Sequence, residues 1–365
     1  MANPPARRSL GLLVTLAATA WSASAAPSGG CGHSLASGVR QLVDQGITRV
    51  YRLSVPASYR PDVPHPLVLL FHGWGGDENE FLGESKVTTL ADERGYILVA
   101  PRGLGSSTPD ANRNSWSFRG STTGVASGQA ICASERTPDY TYPSCRDLSR
   151  STCSWTHCQA DDVAFTLALI RDLESKLCID SGRIFAAGGS NGGMFTWELG
   201  QNAASATAFT ALAPLIGLPH RGFPDPPARE DGLPVLLITG SADRTVPPGS
   251  WESPAATTSS DGDAYFYTSA TAMMRRCGAV NHCPYRGRPA TPFAAGAEVS
   301  AECRTYCEGD AKGWSEPTSH GGWPRVLDCR APMGHEYGLH WSWPLILKFF
   351  DAHSKRSPRR PPALE

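Results

Sequence analysis

The sequence lacks an excess of charge of either sign. Its 33 Lys and Arg residues are balanced by 34 Asp and Glu residues, which gives a formal net charge of −1 at pH 7. Such a chain has no overall field that would attract nucleic acid or an anionic membrane. Neither is therefore expected as a partner. The one basic stretch, residues 355–365, combines its charge with proline and is predicted to be a disordered tail.

The apolar run near the start is too short to span a bilayer. It covers Leu10 to Ala20, follows Arg7 and Arg8, and precedes a group of small residues ending at Ala26. This order is typical of an export signal. We therefore expect residues 1–26 to be a signal peptide and the mature protein to be secreted, either extracellular or periplasmic, without a membrane segment. A retained membrane anchor is the alternative.

No C-x-x-C motif occurs among the eleven cysteines, and no pair of histidines supports them at zinc-finger spacing. A zinc site at Cys153 and Cys158, or at Cys303 and Cys307, is therefore less favoured than disulfides. All the cysteines follow the predicted signal, and this density is expected in an oxidising compartment. The odd number leaves at least one thiol free or paired outside the chain, and the pairing stays open. The cysteines are Cys31, Cys132, Cys145, Cys153, Cys158, Cys178, Cys277, Cys283, Cys303, Cys307 and Cys329.

Apolar segments of strand length alternate with segments of helical period. Strands are predicted at 49–56, 66–73, 96–103, 183–188, 207–214, 234–240 and 324–331. Helices are predicted at 79–95, 161–177, from about Gly193, at 264–278 and at 343–353. This alternation predicts an α/β fold with a mostly parallel sheet and helices on both faces. No repeat or linker divides the chain, so residues 27–354 are predicted to form one catalytic domain.

The alternation stops between residues 112 and 159. This stretch is rich in Ser, Thr, Arg and Gly and holds four of the eleven cysteines. A loop of this length is uncommon in a compact domain unless it is functional or tied down. We therefore predict a disulfide-stapled insertion over the core.

The sequence also lacks G-x-G-x-x-G and a G-K-[ST] ending, so its glycine-rich stretch after residue 187 does not match a phosphate loop. Instead, Gly188-Gly189-Ser190-Asn191-Gly192 matches G-x-S-x-G between a predicted strand and a predicted helix. A serine on such a sharp turn needs small residues two before and two after it. Ser190 is therefore the candidate nucleophile, with a plain turn as the alternative for this short pattern.

A serine nucleophile needs a base and an acid that orients the base. In this topology they follow later strands, in the order Ser, then Asp or Glu, then His. Asp243 follows the strand at 234–240, although an aspartate in a loop is also a common turn residue. His335 and His340 follow the last predicted strand. The loop position favours His335 as the base, while His340, next to the last helix, stays open.

The stretch His72-Gly73-Trp74-Gly75-Gly76 ends an early apolar strand. Glycines there let the backbone approach a substrate, although a simple turn would also use them. The expected oxyanion donors are the backbone N–H groups of Trp74 and Asn191. With the preceding candidates, this predicts a serine hydrolase that needs no metal and no organic cofactor.

Three segments carry a resemblance to a known family. The segments "PLVLLFHGWGG", "LCIDSGRIFAAGGSNGGMF" and "GSADRTVPP" resemble the secreted esterases that include feruloyl esterases and polyhydroxybutyrate depolymerases, within the α/β-hydrolase superfamily. The segment "CSWTHCQADDVAFTLALIRDLESKLCID" is more similar to the feruloyl esterases. The resemblance covers residues 50–352 and is weakest at 254–324. In the last loop, many relatives have a histidine followed by Trp-Pro, whereas here His335 is followed by Glu336 and Tyr337.

The resemblance implies an α/β-hydrolase fold and hydrolysis of carboxylic esters through an acyl-enzyme, with Ser190 as nucleophile, Asp243 as acid and a histidine of the last loop as base. The expected substrate is a hydroxycinnamoyl ester of plant polysaccharide, small or polymer-linked. A polyhydroxybutyrate depolymerase and an acetyl (xylan) esterase are the alternatives. An inactive hydrolase fold used for binding is the alternative from another functional class.

Overall fold

The computed structural model describes residues 27–105, 113–121, 125–126, 129–132, 160–252, 255, 257–261, 264–283, 291–307 and 323–354. The predicted signal peptide, the predicted tail and most of the predicted insertion at 112–159 lie outside these residues.

A ten-stranded sheet forms the centre of the fold, with strand order β1-β2-β4-β3-β7-β8-β9-β14-β13-β12. Six adjacent strands from β4 to β14 run parallel, and the pairs at each edge run antiparallel. Two short hairpins, β5–β6 and β10–β11, lie outside this sheet. The described strands are β1 (Gly38–Asp44), β2 (Ile47–Ser54), β3 (His65–Phe71), β4 (Ile97–Pro101), β5 (Val125–Ala126), β6 (Gln129–Ala130), β7 (Ile179–Gly189), β8 (Ala211–Leu215), β9 (Val235–Gly240), β10 (Thr257–Ser259), β11 (Phe266–Thr268), β12 (Thr291–Phe293), β13 (Glu302–Thr305) and β14 (Val326–Ala331).

Helices cover both faces of the sheet. They are α1 (Ser85–Glu93), α2 (Asp162–Glu174), α3 (Asn191–Gln201), α4 (Ala203–Ala206), α5 (Ala270–Val280) and α6 (Leu339–His353). Alternate side chains of β3 belong to two separate cores. Leu67, Leu69 and Phe71 share a core with α2, α3 and α5, while Val68 and Leu70 share the other with α1 and α6. Burial on both faces explains why the central strands are continuously apolar.

The predicted α/β fold with a mostly parallel sheet is confirmed, but several element bounds were wrong, and the predicted helix at 79–95 covers only Ser85–Glu93. The segment 264–278 is helical only from Ala270, because Phe266–Thr268 pairs with Thr257–Ser259 as an antiparallel hairpin. The last helix begins at Leu339, earlier than predicted, so His340 lies on a helix. The edge strands β1, β12 and β13 and the hairpins β5–β6 and β10–β11 had not been predicted.

Three disulfides lie within the described residues: Cys31–Cys178, Cys283–Cys307 and Cys303–Cys329. The third joins residues directly opposite each other on β13 and β14. Cys132 is disulfide-bonded as well, whereas Cys277 is unpaired and buried. Disulfides rather than zinc therefore explain the described cysteines other than Cys277, which is the free thiol among the described residues.

The N-terminal residues of the described chain are attached to the amino end of β7. Ser28 donates through its N–H to Ile179 O at 2.9 Å and through its hydroxyl to Leu177 O at 2.6 Å. The Cys31–Cys178 disulfide holds the same point covalently across a sequence separation of 147.

Among the described helices, none combines the length and the apolar character needed to cross a bilayer.

Candidate active site

Ser190 occupies a sharp turn between β7 and α3. Its backbone has φ 52° and ψ −115°, a region that side-chain-bearing residues rarely adopt. Ser190 N–H donates to Leu215 O on the neighbouring strand, and Ser190 O accepts from Met194 N–H, both at 2.9 Å. These two bonds hold the strained turn between the sheet and the first turn of the helix.

The glycines around Ser190 allow backbone segments to approach closely. A Cβ atom on Gly188 would overlap Gly192 O, and one on Gly192 would overlap Phe71 O of β3. On Gly189 it would overlap the ring of Tyr337. The small residues of the G-x-S-x-G pattern are therefore needed for packing of the turn, as predicted from the sequence.

His335 links Ser190 to Asp243. His335 Nε2 lies 2.8 Å from Ser190 Oγ, and His335 Nδ1 lies 2.7 Å from Asp243 Oδ2. The three residues follow β7, β9 and β14, whose carboxyl ends meet at one edge of the sheet. The structure thus brings together three residues that are far apart in the chain and places them in one hydrogen-bonded line.

The carboxylate of Asp243 is buried and fixed by its own loop. Its Oδ1 accepts hydrogen bonds from Thr245 N–H at 2.8 Å and Val246 N–H at 2.9 Å, while its Oδ2 faces His335. Since an ionised carboxylate only accepts hydrogen bonds, the imidazole hydrogen lies on Nδ1 and Nε2 is free to accept from the Ser190 hydroxyl.

His340, the other candidate base, lies on α6 and makes no described hydrogen bond with Ser190 or Asp243. It is the second residue of α6, its side chain is exposed, and it lines a shallow groove between α1 and α6. Of the two candidate histidines, the structure thus places His335 beside Ser190.

The loop after β3 passes directly beside Ser190, since a Cβ atom on Gly73 would come within 3.5 Å of Ser190 Cβ. His72 anchors this loop. His72 Nε2 accepts from Gly103 N–H at 2.8 Å, so its ring hydrogen lies on Nδ1 and points to Gly73 O, 2.6 Å away. Burial lowers the pKa of His72 to about 4, which keeps the imidazole neutral.

Several backbone amides of the loop after β3 donate hydrogen bonds to acceptors within the protein. Gly75 N–H donates to Asn114 O and Gly76 N–H to Gly73 O, and Gly73 N–H donates to a side chain described below. Trp74, whose N–H is a predicted oxyanion donor, lies between them with its side chain 39% exposed and stacked by the Arg113 guanidinium at 5.3 Å. The second predicted donor, the Asn191 N–H, belongs to the first turn of α3, where amides have no acceptor within the helix.

The side chain of Asn191 binds the backbone of the segment 113–121. Its Oδ1 accepts from Trp116 N–H at 2.9 Å, while the Trp116 indole N–H donates to His72 O at 3.0 Å. The indole packs against Phe71 and Phe195 and is fully buried. These contacts attach the segment 113–121 to the base of the site, and Trp116 is a core residue.

Glu80, which was not recognised from the sequence, lies beside Ser190 together with Tyr337. Glu80 Oε1 accepts from Gly73 N–H at 2.7 Å and from the Tyr337 hydroxyl at 2.6 Å. Burial raises the pKa of Glu80, partly offset by these two hydrogen bonds. Burial and the neighbouring carboxylate of Glu80 raise the pKa of Tyr337, so its hydroxyl stays protonated and donates.

The described residues contain no group of three or more His, Cys, Asp or Glu side chains placed to hold a metal ion. The chemistry available among them is that of a serine hydroxyl next to a histidine with an ordered carboxylate behind it.

Comparison with known proteins agrees with this architecture. The chain is 28% identical over 241 residues to the "Probable feruloyl esterase C" of Aspergillus flavus, covering 64% of this chain and 68% of the relative. It is 25% identical over 199 residues to feruloyl esterase C of Emericella nidulans, covering 53% and 54% of the two chains. No family model matches the chain.

Among solved structures, the chain is similar to an acetyl xylan esterase from Aspergillus awamori. The TM-score is 0.51 at 15% sequence identity, and the similarity covers 86% of this chain and 99% of that one. The chain therefore has the α/β-hydrolase fold, and the predicted resemblance to feruloyl esterases is confirmed by its sequence relatives.

Proposed function

We propose that this chain is a secreted feruloyl esterase that releases hydroxycinnamates from plant polysaccharide through an acyl-enzyme on Ser190. The broader class, a carboxylic ester hydrolase, follows from the esterases to which the sequence is related. The single observation that carries the assignment to Ser190 is the continuous hydrogen-bonded line from Asp243 through His335 to the Ser190 hydroxyl.

In the first half of the proposed reaction, Ser190 Oγ attacks the carbonyl carbon of the ester while its proton passes to His335 Nε2. The tetrahedral intermediate collapses, and the alcohol or sugar hydroxyl leaves with that proton. In the second half, a water molecule gives a proton to His335 Nε2 and attacks the acyl-enzyme. The acid is released, and Ser190 recovers its proton.

Asp243 stabilises the imidazolium that forms in both halves and holds the Nδ1–H tautomer. Its two backbone hydrogen bonds from Thr245 and Val246 keep the carboxylate in place without using Oδ2. The proposed oxyanion donors are the N–H groups of Trp74 and Asn191, on either side of Ser190. Such donors stabilise the negative charge only as it develops, which is why they accelerate the reaction.

The hydroxycinnamoyl substrate is supported by the feruloyl esterases among the sequence relatives. The exposed indole of Trp74, on the loop that passes Ser190, offers an aromatic surface that suits a planar ring or a sugar. Secretion is supported by the disulfides, which persist in oxidising compartments. We propose that the signal peptide covers residues 1–26, the catalytic domain residues 27–354 with its insertion at 112–159, and the tail residues 355–365.

A fluorophosphonate probe tests the nucleophile. We expect the wild-type protein to be labelled at Ser190 and Ser190→Ala to remain unlabelled. Ser241→Ala, which removes an exposed serine in the loop that carries Asp243, is the matched control and should label normally. Labelling of Ser190→Ala at the wild-type rate would overturn the assignment.

A substrate panel tests the acyl group. Methyl ferulate, an acetylated xylan oligomer and a hydroxybutyrate oligomer are compared by kcat/KM, with Ser190→Ala as the blank. The proposal predicts that methyl ferulate has the highest value. A higher value for the acetyl or hydroxybutyrate ester would reassign the substrate while leaving Ser190 as the nucleophile.

A further inference from the structure

Glu80 joins the two loops that flank Ser190. Its Oε1 accepts from Gly73 N–H at 2.7 Å, in the loop after β3, and from the Tyr337 hydroxyl at 2.6 Å, in the loop after β14. The first loop carries Trp74, and the second carries His335. One carboxylate oxygen thus holds together the proposed oxyanion loop and the loop of the proposed base.

The packing around Glu80 leaves little freedom for either loop. The rings of Tyr337 and Phe81 are stacked, with centroids 5.3 Å apart and planes 6° from parallel. A Cβ atom on Gly76 would overlap the Glu80 carboxylate, and one on Gly189 would overlap the ring of Tyr337. The side chains of Glu80 and Phe81 therefore hold Tyr337 against the turn that carries Ser190.

From this geometry we infer that Glu80 is a positioning residue for ester hydrolysis. Through Gly73 it fixes the loop that carries the Trp74 N–H, and through Tyr337 it holds the loop that carries His335. The inference rests on the proposed function of Ser190 and His335 but not on the identity of the acyl group. Glu80 acts on the transition state through these neighbours and does not touch the reacting atoms.

The arrangement also explains why an acid lies in this half-buried position. Burial of a carboxylate costs free energy unless hydrogen bonds compensate. Here the Gly73 amide and the Tyr337 hydroxyl supply them. A hydrocarbon side chain would fill the space but would release the Gly73 amide and the Tyr337 hydroxyl together.

The test compares Glu80→Ala, Glu80→Gln and Tyr337→Phe with the wild type, using p-nitrophenyl acetate so that acyl specificity plays no part. We expect Glu80→Ala to lower kcat about 30- to 100-fold with KM changed less than about 3-fold, since misplacement of about 1 Å can cost 100-fold. Glu80→Gln keeps an acceptor oxygen and should stay within about 3-fold of the wild type. Tyr337→Phe should lower kcat about 3- to 10-fold.

Glu84→Ala is the matched control, because Glu84 is exposed, four residues further along, and caps α1 without a side-chain hydrogen bond. It should leave kcat unchanged. In the double variant Glu80→Ala with Tyr337→Phe, kcat should be no lower than in Glu80→Ala alone, because both substitutions break the same bridge.

A kcat for Glu80→Ala within 2-fold of the wild type would overturn the inference. An equal loss in Glu80→Gln and Glu80→Ala would also overturn it, since the acceptor oxygen would then not be the cause. If Glu80→Ala does not fold, Tyr337→Phe decides: unchanged kcat in that variant, with unchanged urea unfolding, contradicts the bridge. Full activity of Ser190→Ala in the same assay would instead refute the proposed function itself.

Discussion

Arg49 and Asp162 form an ion pair inside the protein, with Arg49 Nη2 2.8 Å from Asp162 Oδ1 and the two side chains 1% and 0% exposed. Asp162 Oδ2 also accepts from Ser117 N–H at 2.7 Å. One carboxylate therefore connects β2, α2 and the segment 113–121, which lies at the base of the site. Burial raises the pKa of Asp162 despite the opposing effect of Arg49.

We expect Arg49→Met to lower the free energy of unfolding by about 3–5 kcal/mol, because the substitution leaves the buried carboxylate without its counter-ion. Urea unfolding at pH 7.5 measures the change. Arg60→Met is the matched control, since Arg60 and Asp62 pair at the surface with side chains 67% and 65% exposed. It should cost less than about 1 kcal/mol. An equal loss of unfolding free energy in the two variants would show that the buried ion pair contributes no more to stability than the surface pair.

The proposed order of Ser190, His335 and Asp243 predicts how each substitution lowers kcat. Asp243→Asn should lower kcat about 10,000-fold, because an amide at this position favours the wrong tautomer of His335. His335→Ala should lower kcat at least as strongly, whereas His340→Ala should stay within about 2-fold. Hydrolysis of p-nitrophenyl acetate measures all three, and a large loss in His340→Ala would contradict the assignment of the base.

The close approach of Gly189 to Tyr337 predicts a steric effect. Gly189→Ala would place a methyl group in the Tyr337 ring, so we expect a destabilisation of about 1–3 kcal/mol and a fall in kcat as the loop of His335 moves. Gly334→Ala is the matched control, because no atom lies within 4 Å of a Cβ there although the residue precedes His335. Its kcat should remain within about 2-fold of the wild type. Comparable losses in the two variants would contradict the steric explanation.

His220 predicts a dependence of stability on pH. It is fully buried between Tyr265 and Tyr267, and burial lowers its pKa from 6.5 to about 3. Below pH 6.5 the unfolded chain binds a proton at this position that the folded protein does not bind. The stabilisation is thus complete above pH 6.5 and decreases as the pH falls toward 3.

The experiment compares reversible urea unfolding at pH 7.5 and pH 4.5. The difference between the two values should be about 3 kcal/mol smaller in His220→Phe than in the wild type. His33→Gln, which replaces an exposed histidine, should keep the wild-type difference. An unchanged difference in His220→Phe would show that this histidine does not contribute to the loss of stability in acid.

The central part of the fold could be predicted because its strands are buried on both faces. β3 and β9 are short, continuous apolar runs that end in turn residues, which is the pattern of strands buried on both faces. β1 was missed because it is an edge strand in which the apolar residues Val39 and Val43 are exposed at 61% and 69%. Its alternation of apolar and polar residues therefore does not mark one face as buried. β11 was assigned to a helix because its pairing with β10 is a tertiary contact that local periodicity does not record.

In the site, too, residues fixed by the position of a strand could be predicted, whereas residues fixed by tertiary contacts could not. Ser190, Asp243 and His335 could be selected because each directly follows a strand, and the ends of parallel strands meet at one edge. Glu80 could not be selected, since it belongs to the acidic run Asp77-Glu78-Asn79-Glu80, in which nothing distinguishes the member that faces Gly73 and Tyr337. Its partner Tyr337 lies 257 residues away, and their contact depends on the packing of both loops.

The attachment of the first described residues to the amino end of β7 has a practical consequence. β7 is bulged, and its stretch from Ile179 to Gly188 lies opposite His65 to Phe71 of β3, six steps or about 20 Å at about 3.3 Å per residue, with Ser190 beyond the far end. The Cys31–Cys178 disulfide fixes the chain at the near end of the same strand. A solid support or carrier protein coupled ahead of Ser28 would therefore sit on the side of the molecule away from Ser190, leaving the nucleophile accessible to a large polymer.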